Sequence, residues 1–151
     1  MDDALQARML AVIEKNRTMT VATLRPDGWP QATTVGYGND GGTIYFLCGL
    51  ESQKAANIDS DNRVSVTIND DPDEVMAITG LSMAAHALPV TDRDEGLRVL
   101  ALLAGKYPAQ KDFPLAAMPL PEQVRLFRLA PVVISVLDYS KGFAHTDLVT
   151  L

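Results

Sequence analysis

The sequence predicts a mainly β chain, a six-stranded antiparallel β-barrel plugged by helices, and three observations predict it. Runs of β-branched and aromatic residues follow one another from Thr18 onward with only short turn signals between them, which is the spacing of a meander. Arg63 to Asn69 alternates strictly, with Val64, Val66 and Ile68 on one face and Ser65, Thr67 and Asn69 on the other, so it is a strand with one face in a core. Only two amphipathic helices stand beside six or so strands, one near the N-terminus and one after Thr91, which makes them plugs of a small barrel. An open α+β sandwich is the alternative architecture.

Taken in order, Asp2 or Asp3 can cap a first helix whose apolar residues Leu5, Met9, Val12 and Ile13 form one stripe. Thr18 to Arg25 and Gln31 to Tyr37 read as strands joined by Pro26-Asp27-Gly28, with proline at the second turn position and glycine at the fourth. Asn39-Asp40-Gly41-Gly42 is the next turn and leads into the strand Thr43 to Cys48. Ser52 sits where an N-cap belongs for a short helix, Ser52 to Asp59, and the strand Arg63 to Asn69 follows. Beyond an acidic turn, Val75 to Val90 is too long and too alanine-rich for one flat strand, and Gly80 predicts a bulge or bend within it. Thr91 with Asp94 resembles a capping box, and Leu97, Leu100, Ala101, Ala104 and Tyr107 keep helical spacing until Pro108. Residues 108 to 121 carry four prolines and read as an irregular connection, with a short helical turn after it at Glu122 to Arg125. Leu126 to Asp138 contains Pro131 to Leu137, apolar on both faces, which predicts a strand covered on both sides, the second cover being another subunit. The tail Tyr139 to Leu151 has no clear period and predicts no element.

The chain's 151 residues fit one domain, 1–151, and a domain of that size buries roughly 68–70% of the surface its unfolded chain exposes. Hydrophobic residues make up 47% and charged residues 21%, a globular balance. With 19 acidic and 13 basic side chains the formal charge is −6, and no segment gathers Lys and Arg, so binding to a nucleic-acid backbone or an anionic membrane is disfavoured. Cys48 is the only cysteine, which excludes an internal disulfide. No apolar run approaches the ~18 residues of a membrane span, the N-terminus is acidic, and the expected location is the cytoplasm.

The candidate chemistry is concentrated at Ser52 and Lys54. A hydroxyl, free backbone N–H groups and an ammonium at one helix start make an anion site, because the unpaired donors and the dipole point the same way. A lysine in a first turn opposes the macrodipole unless an anion is close. The bland reading of a lone Ser-x-Lys is an exposed lysine on a surface helix. His86 and His145 stand apart without a carboxylate at fixed spacing, so no metal is assigned. The motifs G-x-S-x-G and the P-loop are absent. Cys48 ends an apolar strand and reads as a buried structural thiol, and Trp29 in the hairpin turn reads as a packing anchor.

The ordered set of an A-T strand, a P-D-G-x-P hairpin, a D-G-G turn, an I-Y-F strand, S-x-K-x-x-N-I and N-x-R-V-S, from Thr20 to Ile68, resembles the pyridoxamine 5′-phosphate oxidase-like, FMN-binding split-barrel superfamily. The likeness continues more loosely to the end of the chain. It implies a six-stranded antiparallel split β-barrel, and a homodimer with FMN or a related cofactor in a groove between subunits. Carried over position by position, Gln31 to Gly36 would lie along the cofactor, with backbone groups near Thr33, Thr34 and Val35 facing the isoalloxazine ring. Leu47 and Cys48 would sit beside the ribityl chain, and Ser52 and Lys54 would hold the phosphate. Vitamin B6 oxidases of the superfamily typically carry basic residues at the positions of Gln31, Gly36 and Gln53, a glutamine near Val75, and a longer C-terminal segment that binds pyridoxine phosphate. This sequence departs at each of these, so vitamin B6 oxidation is not expected.

Three readings follow. The first is a small FMN-dependent oxidoreductase or flavin reductase, with the redox chemistry supplied by the cofactor and no catalytic side chain assigned. The second is a module that holds a flavin, a deazaflavin or haem without turnover, and the third is a dimeric scaffold with a degenerate groove and no cofactor. FMN suits the chain better than FAD, because one helix-start anion site serves a monophosphate and no second Gly-rich loop serves a diphosphate and adenosine. It suits it better than haem, because neither histidine lies in a stretch that reads as an axial-ligand pocket.

Overall fold

Residues 2–108 and 118–151 are described by a computed structural model of the chain. Helix α1, Asp3–Lys15, starts at Asp2, whose carboxylate accepts the Leu5 N–H at 2.7 Å, and it buries the predicted stripe Leu5, Met9, Val12 and Ile13. Strands β1, Thr18–Leu24, and β2, Pro30–Asp40, form the hairpin, from Thr18 opposite Gly36 to Leu24 opposite Pro30. Its turn needs Gly28 at φ +83°, where a side chain would be strained. Strand β3, Thr43–Gly49, completes the meander, and helix α2, Gln53–Ser60, leads into β4, Arg63–Asn69. Then come β5, Thr79–Pro89, helix α3, Arg93–Gly105, β6, Val124–Asp138, and β7, Thr146–Thr150.

The strands lie in the order β3-β2-β1-β4-β5-β6-β7, and β3 also pairs with β6, from Tyr45 opposite Arg128 to Gly49 opposite Val124. That pairing closes six antiparallel strands into a barrel, the predicted fold class, with three helices around it among the described residues. The interior is apolar: Val21, Val66, Met83 and Val136 are almost fully buried, and the rings of Phe46 and Phe127 stack with centroids 5.4 Å apart. Helix α1 lays Val12 and Ile13 on this core, and each buried Val or Ile contributes roughly 1.5–3 kcal/mol. Helix α3 packs outside the barrel, where Val99, Leu100 and Leu103 meet Tyr45 of β3 and Leu126 of β6.

The structure corrects several expectations. The tail forms a 3₁₀ turn, Tyr139–Lys141, and β7, which pairs with the far half of β6 as a seventh strand outside the closed barrel. Val75–Val90 divides into a 3₁₀ turn, Val75–Ala77, and β5. The register of β5 with β6 breaks between Ala84 and Ala85, which oppose Val133 and Pro131, so the extra residue is Val132 in β6 and not Gly80. Pro131 has no N–H for the ladder, which is why the bulge forms beside it. Gly80 serves a close approach instead, since a Cβ there would lie 2.9 Å from the Ile68 carbonyl oxygen. The cap of α3 is Asp92, whose carboxylate accepts the Glu95 N–H at 2.9 Å, in place of Thr91. Its buried face is Gly96, Val99, Leu100 and Leu103, which leaves Leu97 exposed. The turn at Glu122 to Arg125 is a 3₁₀ turn, Pro121–Gln123, running straight into β6. Of the irregular connection, residues 109–117 lie outside the described residues. In the second half of β6, Ile134 and Val136 face the core while Val132 is 39% exposed, so nothing among the described residues covers its other face fully.

Candidate functional site

The barrel is split on one side. Strand β2 pairs with β1 along Pro30 to Gly36, but with β3 only from Tyr37 opposite Phe46 to Asp40 opposite Thr43. Leu47 to Gly49 of β3 pair with β6 on their other side. Between them a seam opens, along which the backbone groups of Ala32 and Thr34 and the N–H of Gly36 on that edge of β2 meet no neighbouring strand among the described residues, while those of Gln31, Thr33 and Val35, expected at the ring, pair with β1. At its upper end α3 crosses β2 so closely that a Cβ on Gly38 would lie 2.8 Å from the Leu103 nitrogen.

Alternation places Gln31, Thr33 and Val35 on the barrel side, opposite Thr23, Val21 and Met19, while Ala32, Thr34 and Gly36 face outward and are exposed. The Thr33 Oγ1 is buried and, like Arg8 Nε, has no hydrogen-bond partner among the described residues. Gln31 is held in place: its Oε1 accepts from Asn57 Nδ2 at 3.2 Å, and the same amide donates to Thr23 Oγ1 at 2.9 Å. Asn57 is fully buried and accepts from Gln53 Nε2 at 2.8 Å, so this one side chain ties α2 to β1 and β2 beneath the seam. Asn57 and Thr23 were not among the predicted site residues. The N of S-x-K-x-x-N-I was the available signal.

At the start of α2 the Ser52 Oγ accepts the Ala55 N–H at 3.1 Å, which leaves the hydroxyl proton free to donate. The N–H groups of Gln53 and Lys54 are those that helix geometry leaves without an intrahelical acceptor. Lys54 is half-buried, the first turn has no acidic residue, and Lys54 has no carboxylate partner among the described residues. The neighbouring cations are all paired. Arg125 donates to Asp59 at 2.8 and 2.9 Å, and its hydrogen bond holds Asp59 below the usual carboxylate range. Arg63 does the same to Asp61, which its hydrogen bonds bring down to about 2.

Leu47 and Cys48 point opposite ways. Cys48 is a free thiol inside the barrel core, whereas Leu47 packs on the α3 side. There Val35, Leu47, Leu103, Ala104, Tyr107 and Met118 line a cavity of about 440 Å³ that adjoins the seam. A second hollow, about 370 Å³, lies on the outer face of the sheet between Ala22, Pro30, Ser65, Ala84, His86 and Val132. The histidines are engaged separately, His86 Nδ1 with Asn62 Oδ1 at 2.8 Å and His145 Nε2 with Asp147 Oδ2 at 3.1 Å. Trp29 is 73% exposed at the hairpin tip and anchors no packing within the chain, contrary to its expected role.

A phosphorylated flavin matches this donor set: an open backbone edge for a ring, an unpartnered buried hydroxyl at Thr33, and Ser52 with an unpaired Lys54 for a phosphate. The family model described as pyridoxamine 5′-phosphate oxidase matches residues 5–138. Among solved structures, the conserved hypothetical protein Rv2991 from Mycobacterium tuberculosis is 26% identical with a TM-score of 0.80, over 97% of this chain and 91% of that one. A heme binding protein from Mycobacterium smegmatis is 22% identical with a TM-score of 0.71, over 99% of this chain and 58% of that one. ChuZ from Campylobacter jejuni is 12% identical with a TM-score of 0.80, over 99% and 61%. The last two likenesses show the fold alone. No curated protein matches the sequence closely enough to count as a relative.

Proposed function

The chain belongs to the pyridoxamine 5′-phosphate oxidase family, and on that footing we propose that it is an FMN-binding flavoprotein, a small oxidoreductase or flavin reductase that is not a vitamin B6 oxidase. The observation that carries the proposal is Lys54, a half-buried ammonium without a carboxylate partner among the described residues, beside the Ser52 cap and at the end of the split. An unpaired cation in a first turn is unfavourable by itself and becomes favourable when a phosphate joins it. In this reading Ser52, Lys54 and the first-turn N–H groups bind the phosphate, and the open β2 edge at Thr34, between Thr33 and Val35, orients the ring. Leu47 excludes water from one side. Bound there, FMN would supply the two-electron redox chemistry, and no acid or base side chain of this chain is needed for it.

Against vitamin B6 oxidation, Gln31 is already committed to Asn57, and Gly36 and Gln53 bring no charge to the phosphate clamp, in which Lys54 is the surviving cation. The proposal includes a homodimer, with the seam roofed by the second subunit, and a cytoplasmic setting consistent with a lone buried thiol. The heme binding protein of M. smegmatis makes haem the rival ligand, with a deazaflavin next. Adding FMN, FAD, a deazaflavin and haem separately, while following flavin fluorescence, Soret absorbance and thermal shift, tests the reading. Stabilisation by FMN is the expected result. Lys54→Ala should weaken FMN binding by about tenfold to just over a hundredfold, the worth of a charge-assisted bond of about 1.5–3 kcal/mol, with little change in the Tm of the cofactor-free protein. Unchanged FMN affinity in Lys54→Ala would put the anion site elsewhere.

A further inference from the structure

The cavity beside the seam differs in chemistry from the phosphate end of the same groove. Its walls are aliphatic at Val35, Leu47, Leu103 and Met118 and aromatic at Tyr37 and Tyr107, and none of its lining residues among those described is charged. Tyr37 contributes only its ring, since its hydroxyl is buried on the Ile13 carbonyl at 2.7 Å and stays neutral there, with its pKa raised by burial. The ammonium of Lys106 is already committed: it donates to the Ile13 and Asn16 carbonyls at 2.9 and 3.1 Å and lies 4.8 Å from the centre of the Tyr37 ring. Arg17 is exposed and stacks over Tyr107 with its guanidinium carbon 4.8 Å from the ring centre. Among the described residues the polar edge of the cavity is the backbone N–H of Gly36, at the end of the unpaired stretch of β2, since the Val35 groups pair with Met19 of β1.

We infer that this cavity binds a flat, uncharged aromatic ring compound and discriminates against a phosphorylated one. At about 440 Å³ it has the size of a small-ligand pocket. A ring can stack against Tyr107 and pack on the aliphatic walls, while a substituent oxygen can accept from the free Gly36 N–H. A phosphate ester would have to give up its hydration among apolar side chains with no free ammonium among the described residues of the wall, and the acidic chain as a whole repels it. The cavity opens onto the proposed flavin groove, so the compound it takes is the substrate class of that site, an assignment that rests on the flavin reading although the binding itself does not.

The test uses the whole protein and two probes that share one ring system, 1-naphthol and 1-naphthyl phosphate, titrated calorimetrically with and without saturating FMN. 1-Naphthol is expected to bind at least tenfold more tightly than its phosphate ester. Ala104→Phe, which fills the cavity from an incompletely buried position on α3, should lose at least tenfold in 1-naphthol affinity at an unchanged Tm, and Ala104→Leu should lose less. Equal or tighter binding of the phosphate ester would make Arg17 an anion-binding group and overturn the proposal, as would no measurable heat with 1-naphthol or full affinity in both variants. Competition between FMN and 1-naphthol would make the cavity the seat of the flavin ring itself, which also overturns it. Failure of FMN to bind would remove the flavin reading and leave the naphthol result to stand separately.

Discussion

Thr33 holds a buried hydroxyl to which the fold gives no partner. A group in that state costs about 1–3 kcal/mol of desolvation, so Thr33→Val, which keeps the shape and removes the hydroxyl, should raise the stability of the cofactor-free protein by about 1 kcal/mol in urea unfolding. The same change should weaken FMN binding if the hydroxyl, unpartnered among the described residues on a strand that borders the seam, serves the cofactor. Opposite signs in the two measurements would mark it as a binding group, and a loss of stability would mark it as packing. Asn57 is the reverse case. Replacing it by Leu removes three hydrogen bonds and leaves Thr23 and Gln31 without their donor, an expected loss of about 2–4 kcal/mol. Ser52 and Lys54 were legible in the sequence because a cap is a local signal, written within three residues. Asn57 was not, since its partners lie 34 and 26 residues away. Nor could the direction of Leu47 against Cys48 be read, because both faces of β3 are apolar.

Between elements, α1 is fastened by carboxylates. Asp70 accepts from Thr79 Oγ1 at 2.6 Å, Lys15 Nζ at 2.9 Å and Asn16 Nδ2 at 3.1 Å; burial pushes its pKa up, and these three bonds together hold it below the ordinary range. Asp138 is lowered first by Ser140 and further by Arg8, which also donates to Asp147 at 3.0 Å and so clasps the start of β7 to α1. Folded values below the unfolded ones mean that the stabilisation is complete above the ordinary carboxylate range, near pH 4, and is lost as pH falls through the lower folded values. Acid should therefore loosen α1 and the tail first. Asp70→Asn should flatten the acid limb of a stability–pH curve measured by circular dichroism, while costing about 1 kcal/mol at pH 7. A limb of unchanged steepness would assign acid sensitivity to other groups. Strands with turn signals on both sides were legible at this scale. β7 was not, because five residues carry too little period and its register is imposed by β6. The bulge moved from Gly80 to Val132 because a proline without an N–H breaks a ladder more surely than a glycine does.

For the whole molecule, the barrel closure between β3 and β6 lay beyond any local pattern, since it joins segments about eighty residues apart, and only the resemblance of ordered motifs reached it. The proposed dimer rests on the outer face of the same sheet. Two rows cross four strands there, Thr20–Thr67–Ser82–Ser135 and Ala22–Ser65–Ala84–Val133, all small or uncharged and bordered by the outer hollow and the exposed Trp29. A solvated face of four strands would ordinarily carry Lys, Glu or Arg. Obligate interfaces commonly bury ~2,000 Å² or more, and their subunits often have no stable monomeric form. Sedimentation at micromolar concentration should therefore give twice the 16.3 kDa chain mass. Ala84 is exposed in the single chain, so Ala84→Arg should leave its fold intact while placing two like charges across a two-fold contact. The expected result is a shift to monomer with FMN affinity falling at least tenfold, as the roof over the seam is lost. A shift to monomer with full FMN affinity would confine the cofactor to one subunit. A parent protein that is folded and monomeric would remove both the dimer and the shared groove.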